Sequence, residues 1–217
     1  MDNIEIECYL DFSCPWSYIG LLRLHDVALR NAAKIKIKPI SLNTLLDTEN
    51  PRLIHSRWAE NPNKSAWEQK DLQLWAELWG IVIKFHEMWP FDAKNCAVAW
   101  LIASNETDPI KFATTLFEAH FRRGENLSDT DVLINIATKN SLDRNSFVDK
   151  LTDQALHKQI DGYTEELIRR GGFGTPSMFL DNQLYFGNDR VSLLEWRISA
   201  ISDEEFAMPG QHGYMGN

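Results

Sequence analysis

This sequence predicts an α/β protein whose sheet-forming ends flank a long all-helical insertion, and three observations carry that reading. Alternation at strand period occurs toward the two ends of the chain, over residues 4–12, 34–40 and 177–186. Between about 45 and 170 the apolar residues recur at helical spacing, with only Ile81-Val82-Ile83 reading as a strand-like run. The first two strand patterns are separated by a single amphipathic helix pattern, and a unit of about thirty residues of this kind most simply makes two parallel strands with a right-handed crossover.

In the first strand, Ile4, Ile6, Cys8, Leu10 and Phe12 alternate with Glu5, Glu7, Tyr9 and Asp11, giving one apolar and one polar face. Trp16 to about Ala32 reads as a helix on the spacing of Tyr18, Leu21, Leu22, His25, Val27 and Leu29, and Lys34 to Ile40 alternates again. Pro51 and the turn Asn61-Pro62-Asn63 then punctuate a run of helices. Ser65 to Gly80 presents Trp67, Leu72, Leu74, Trp75, Leu78 and Trp79 as a wide apolar face and ends at a glycine suited to a helix C-terminus. Asp92 caps a helix to about Ser104, Asp108-Pro109 opens one to about Arg123, and Ser128 opens the next. Leu142 to Leu156 and Lys158 to Arg170 complete the helical block. After Gly171-Gly172-Phe173-Gly174, Ser177 to Leu180 and Gln183 to Phe186 read as a hairpin turning at Asp181-Asn182. Asn188-Asp189-Arg190 begins a final helix to about Ile201. The sheet-forming domain is thus assigned to 1–45 and 158–205, the inserted helical domain to 46–157, and 206–217 to a flexible tail.

Composition narrows the function classes. A chain of 217 residues buries a substantial core without needing a cofactor to fold, and 44% hydrophobic with 24% charged residues is ordinary for a soluble globular protein. The formal net charge of -9, with no long run of Lys or Arg, argues against nucleic acid as a partner. No run of about 18 apolar residues reads as a membrane span, and Met1-Asp2-Asn3-Ile4-Glu5 has no basic segment leading into an apolar one. A soluble, cytoplasmic location is therefore expected. The three cysteines read as reduced thiols, and the histidines, scattered from His25 to His212, show no ligand spacing, so no metal is expected.

The chemistry concentrates at Asp11-Phe12-Ser13-Cys14-Pro15-Trp16-Ser17-Tyr18, which places one cysteine between the first strand and the first helix. A thiol at a helix start faces unpaired N–H groups and the positive end of the helix dipole, both of which favour thiolate, so Cys14 is the candidate nucleophile. Pro15 fits the first helical position. Ser17 stands where a two-cysteine redox motif has its second sulfur, and two roles are open to it: hydrogen-bonding a thiolate, or stabilising the first helical turn. Cys8 on the apolar strand face and Cys96 among Ala97, Val98 and Trp100 read as core. Of the tryptophans, Trp16 is the one expected to touch ligand; Trp58, Trp67, Trp75, Trp79, Trp89 and Trp100 read as core of the helical block. Asn188 and Asp189 sit at a helix N-terminus, where free N–H groups suit a carboxylate and Asp189 suits an ammonium, although both are also ordinary capping residues.

The order β-α-β, helical block, α-β-β-α resembles a thioredoxin-like fold with a large all-helical insertion. Asp11 to Gly20, Phe173-Gly174-Thr175-Pro176 and Phe186 to Glu195 together resemble the DsbA-like superfamily, in the branch of kappa-class glutathione transferases and 2-hydroxychromene-2-carboxylate isomerases. Asn63 to Leu78 and Glu118 to Leu133 resemble the helical domain of that branch, so the likeness spans nearly the whole chain. The resemblance implies a cis bond before Pro176 and glutathione as cofactor or co-substrate. The Thr175 backbone would pair with its cysteinyl part, Trp16 and Pro176 would flank it, and Asn188 with Asp189 would hold its γ-glutamyl end. It also implies a homodimer. One departure stands out: the transferases and isomerases of the branch usually carry serine at the position of Cys14, whose hydroxyl stabilises the glutathione thiolate.

Three functions follow as expectations. The leading one is a glutathione-dependent thiol-disulfide oxidoreductase working by a monothiol mechanism on Cys14, since Ser17 excludes a two-cysteine relay at this motif. The second is a glutathione transferase, or a glutathione-dependent cis-trans isomerase of 2-hydroxychromene-2-carboxylate type, in which Cys14 assists the glutathione sulfur. The third is a non-catalytic binding module with an unreactive Cys14. The partner expected under the first two is glutathione with a small electrophile or disulfide.

Overall fold

A computed structural model describes residues 4–202, so the tail expected over 206–217 lies outside the described residues. The sheet holds β1 (Glu5–Leu10), β2 (Lys34–Pro39), β3 (Ser177–Leu180) and β4 (Gln183–Phe186) in the order β2-β1-β3-β4. β1 and β2 are parallel, joined through α1 (Pro15–Arg30), while β3 runs antiparallel to both β1 and β4. The β3–β4 hairpin turns at Asp181 and Asn182, both at positive φ (49° and 64°), a conformation these two residue types tolerate better than most. The insertion contains α2 (Leu42–Glu49), α3 (Pro62–Leu78), α4 (Lys94–Ala103), α5 (Pro109–Phe117), α6 (Thr130–Lys139) and α7 (Arg144–Leu151). The chain returns through α8 (Gln154–Arg169) and closes with α9 (Val191–Ser202).

Several sequence expectations shift. Residues 81–83 join no strand of the described sheet, and α2 carries no periodicity long enough to be read. The helix expected over 142–156 divides at Thr152 and Asp153, because the Asp153 side chain accepts from the Ala155 N–H and starts α8 afresh. The expected domain limits at 45/46 and 157/158 fall inside α2 and α8, so both helices straddle them. The helix after Pro109 passes into a π-turn at Glu118–Arg122.

Both sheet faces are covered. Ile6, Cys8, Leu10 and Phe12 pack in the main core with Tyr18, Leu21 and the helical block. The opposite face, read as polar from sequence, buries Tyr9 completely in a second core with Ile40, Leu45, Leu167 and Phe179 under α2 and α8. Its charged residues form a network rather than a solvated surface. Lys38, 5% exposed, pairs with Glu7 and with Glu166 (2.8 Å), while Tyr9 Oη accepts from Lys38 (3.1 Å) and Arg170 (2.9 Å). Burial works against the Lys38 charge, but hydrogen bonds with Glu166, Glu7 and Tyr9 outweigh it and hold its pKa above the ordinary lysine range.

The loop before β3 docks on α1 at Gly20, where an added Cβ would stand 2.6 Å from Pro176 Cγ. Gly20→Ala is therefore expected to lower stability by about 1–3 kcal/mol through overpacking. The check is the urea midpoint, which should fall with an unchanged m-value.

Candidate functional site

Cys14 is the residue before α1, with Pro15 at the first helical position. Its backbone is anchored by the Cys14 N–H donating to the Asp11 carbonyl (3.1 Å). Asp11, 1% exposed, organises the turn: Oδ1 accepts from the Ser13 N–H (2.7 Å) and hydroxyl (2.6 Å), while Oδ2 accepts from the Leu42 N–H (2.8 Å) at the start of α2. Burial pushes the Asp11 carboxyl up, against the opposing pull of those hydrogen bonds. The sequence placed Asp11 on the first strand and at the head of the Cys14 motif; its hold on the turn follows from the tertiary contact with α2.

The Cys14 side chain accepts no capping hydrogen bond from α1. Instead Sγ donates to the carbonyl of Thr175 at 3.4 Å, and the residue is 7% exposed. The thiolate preference expected from the helix terminus is therefore reversed. Burial raises the Cys14 pKa, and the nearby Thr175 side chain with the Ser17 hydroxyl and N–H, which favour thiolate, do not compensate. Ser17 is fully buried within this arrangement, its hydroxyl 3.4 Å from the Asp11 N–H as acceptor. Cys8 and Cys96 are fully buried in the main core, with thiols pushed up by burial, to about 12 for Cys8.

The Thr175–Pro176 bond is cis. The Thr175 N–H makes no hydrogen bond among the described residues, and Oγ1 of this 6%-exposed residue is buried without a partner. Orphaned donors of this kind beside a thiol are uncommon in folded proteins and fit the main chain of an extended peptide ligand. Asn188 is engaged within the protein through its oxygens. It is 5% exposed, and Arg23 Nη1 donates to its Oδ1 (2.8 Å) and to its carbonyl, so its amide oxygen serves to tie the final helix to α1. Arg23 also stacks on Trp75, 4.4 Å from the ring centroid. Asp189 is half exposed and, among the described residues, its carboxylate pairs with Arg190 at 2.8 Å.

Cys14, Trp16 and Thr175 open onto a cavity of about 270 Å³ walled by aromatic residues. Trp58, Trp89, Phe173 and Phe186 line it, and Trp58 and Trp89, read as core, pack against the main core while also facing the cavity. Trp89 is fixed there by Nε1 donating to the Ser13 carbonyl at 2.8 Å, and Phe85 packs between it and Trp58 with centroids 4.3 and 5.4 Å away. An adjoining cleft of about 330 Å³ shares Trp16, Arg57, Trp58, Thr175 and Phe186 with the cavity and adds the carboxylates of Glu68, Asp71 and Asp189. Among the described residues no three His, Cys, Asp or Glu side chains cluster closely enough to hold a metal ion.

A cysteine before a helix, facing a cis-proline loop across a mixed sheet, defines a thioredoxin-type protein with a helical insertion. The family model for the DSBA-like thioredoxin domain matches residues 5–199, and the chain belongs to that family. It is 26% identical over 194 residues to the 2-hydroxychromene-2-carboxylate isomerase of Sphingobium xenophagum, covering 88% of this chain and 95% of that one. The corresponding isomerase of Pseudomonas putida is 27% identical over 195 residues, covering 88% and 92%. A solved 2-hydroxychromene-2-carboxylate isomerase superposes with a TM-score of 0.80 at 25% identity, covering 92% of this chain and 96% of its own. The relatives named are enzymes, and so is this chain.

The burial of Cys14 makes a direct prediction. The pH midpoint of its alkylation by iodoacetamide, followed by peptide mass spectrometry, lies above the ordinary thiol value of about 8.5. Ser17→Ala raises it further, because the hydroxyl that favours thiolate is gone.

Proposed function

We propose that the protein is a glutathione-dependent isomerase of the 2-hydroxychromene-2-carboxylate type, with Cys14 acting as a neutral hydrogen-bond donor rather than as a nucleophile. The observation that carries this is the Cys14 thiol itself: it is buried, raised in pKa and already donating to the Thr175 carbonyl at 3.4 Å. A thiolate in its place would face that carbonyl's negative end, so the site favours a proton on Cys14 and a negative sulfur on the ligand. The isomerases similar over most of the chain support the same reading.

Glutathione, when bound, supplies a thiolate that adds reversibly to a conjugated double bond, which permits rotation and releases the sulfur unchanged, with no net redox chemistry. The chain's own residues bind and orient. The Thr175 N–H pairs with the cysteinyl main chain, and the Thr175 carbonyl keeps a lone pair free for a second donor. Glu68, Asp71 and Asp189 make one end of the cleft acidic, which suits the α-ammonium of a γ-glutamyl group, with Asn188 beside Asp189 in the lining. The Cys14 S–H turns from the Thr175 carbonyl to stabilise negative charge on the ligand sulfur, Ser17 supports Cys14 from within the fold, and the aromatic walls hold a flat electrophile while excluding water.

Substitution at Cys14 tests this against the monothiol oxidoreductase. A donor contributing a charged hydrogen bond of about 1.5–3 kcal/mol accounts for roughly 10- to 100-fold in rate. Cys14→Ser should thus keep glutathione-dependent isomerisation of 2-hydroxychromene-2-carboxylate within about tenfold of the parent, whereas Cys14→Ala should lose the larger factor. If Cys14→Ser is inactive and intact mass spectrometry of the parent shows a Cys14–glutathione disulfide forming during turnover, the donor role is wrong and the monothiol mechanism stands.

A further inference from the structure

We propose that Arg57 is the anion-binding residue of the Cys14 cavity, and that the cavity selects flat aromatic substrates carrying a carboxylate. This names a specificity residue within the proposed isomerase and rests on the same site. Arg57 is the charged residue of a cavity lined otherwise by aromatic, aliphatic and neutral polar residues, and it borders both the cavity and the acidic cleft. Among the described residues no carboxylate lies within ion-pair distance of it. Asp11 and Asp92 act on it only through longer-range charge, and Asp11 is already engaged by Ser13 and Leu42.

The guanidinium is held in place by neutral acceptors. Nη1 donates to the carbonyls of Leu53 and Ile54, each at 3.0 Å, and Nη2 donates to Asn43 Oδ1, while Nε is buried without a partner. Three hydrogen bonds occupy three of the five N–H groups of an arginine, leaving Nε–H and one Nη2–H unpaired. A guanidinium keeps capacity for a carboxylate when N–H groups remain without protein partners, as here. Arg57 also adopts a φ of 61°, an uncommon conformation for a residue other than glycine and one that concentrates at functional sites. A half-buried cation without an ion-paired carboxylate, held by its own loop beside Trp58, is left with charge that an anionic ligand can neutralise. Trp58 and Trp89 supply faces on which a flat ring packs, so an acid attached directly to an aromatic system satisfies both halves of the cavity at once.

Calorimetric titration of the full chain without glutathione, using 1-naphthoate and its neutral isostere 1-naphthamide, tests this. The acid should bind the parent protein about 10- to 100-fold more tightly than the amide. Arg57→Met should abolish that preference while amide affinity stays within about twofold, and Arg57→Lys, which keeps the charge but loses the fork, should retain part of it. Equal binding of the two ligands by the parent overturns the proposal whatever the variants do, as does binding of neither. A preference that survives in Arg57→Met overturns it as well. Because no glutathione and no turnover enter the measurement, failure of the isomerase reading and failure of the anion site are separately visible.

Discussion

The contact between the Cys14 thiol and the Thr175 carbonyl joins residues 161 positions apart, and most of the architecture serves to bring them together. β1 delivers Cys14 at its C-terminal end; β3, antiparallel beside it, delivers Thr175 at its N-terminal end, so the two meet at one edge of the sheet. Register fixes the match, since Tyr9 pairs with Ser177 and a slip of one residue would turn every side chain on β3 to the wrong face. Gly20 then lets Pro176 sit directly on α1, which sets how far the loop stands from the thiol. The same closure that defines the site removes Cys14 from water, so its raised pKa is a consequence of how the fold is assembled rather than of a single neighbour.

The second face of the sheet shows how that closure is stabilised. Tyr9 and Phe179 meet edge to face with centroids 5.7 Å apart, and Arg170 stacks 3.7 Å from the Phe179 centroid. Lys38, Glu7 and Glu166 surround the Tyr9 hydroxyl with paired charges, leaving few polar atoms there unsatisfied. Breaking such a cluster costs more than forming it gains, so it acts mainly to enforce one arrangement of α8 over the sheet. That in turn fixes α2, whose start is capped by Ser41 and held by Asp11, and α2 forms part of the cavity wall through Leu42 and Leu46.

Much of the fold was legible because its signals are local. The strand alternation, the Asp181-Asn182 turn and the Pro15 helix start each follow from a few neighbouring residues, and the structure realises them. Cys14 and Thr175 were legible as partners through motifs standing together, and they do meet. What could not be read was orientation. Trp58 and Trp89 have the composition of core residues, and only the packing of the 3-10 segment after α2 against the loop before α4 turns them into a cavity wall. The hold of Arg23 on Asn188 could not be read either, because the two lie 165 residues apart. Arg57 carried no motif at all; its importance lies in the missing counter-ion, which is a property of three dimensions.

Charge is divided across the site in a way that suits an enzyme with two reactants. The acidic cleft and the cationic cavity share Trp16, Arg57, Trp58, Thr175 and Phe186, so a thiol ligand in one and an electrophile in the other would meet over Cys14. Opposite polarities at the two ends discourage either ligand from occupying the other's place, a form of specificity achieved by mismatch as much as by attraction. In a chain whose formal net charge is -9, an anionic substrate approaches against the overall field. A half-buried arginine lining the cavity would offset that at close range, where the dielectric is low and the long-range repulsion is screened. The neutral thiol of Cys14 completes the logic: a thiolate there would add a second negative charge beside the reacting sulfur, and burial prevents it.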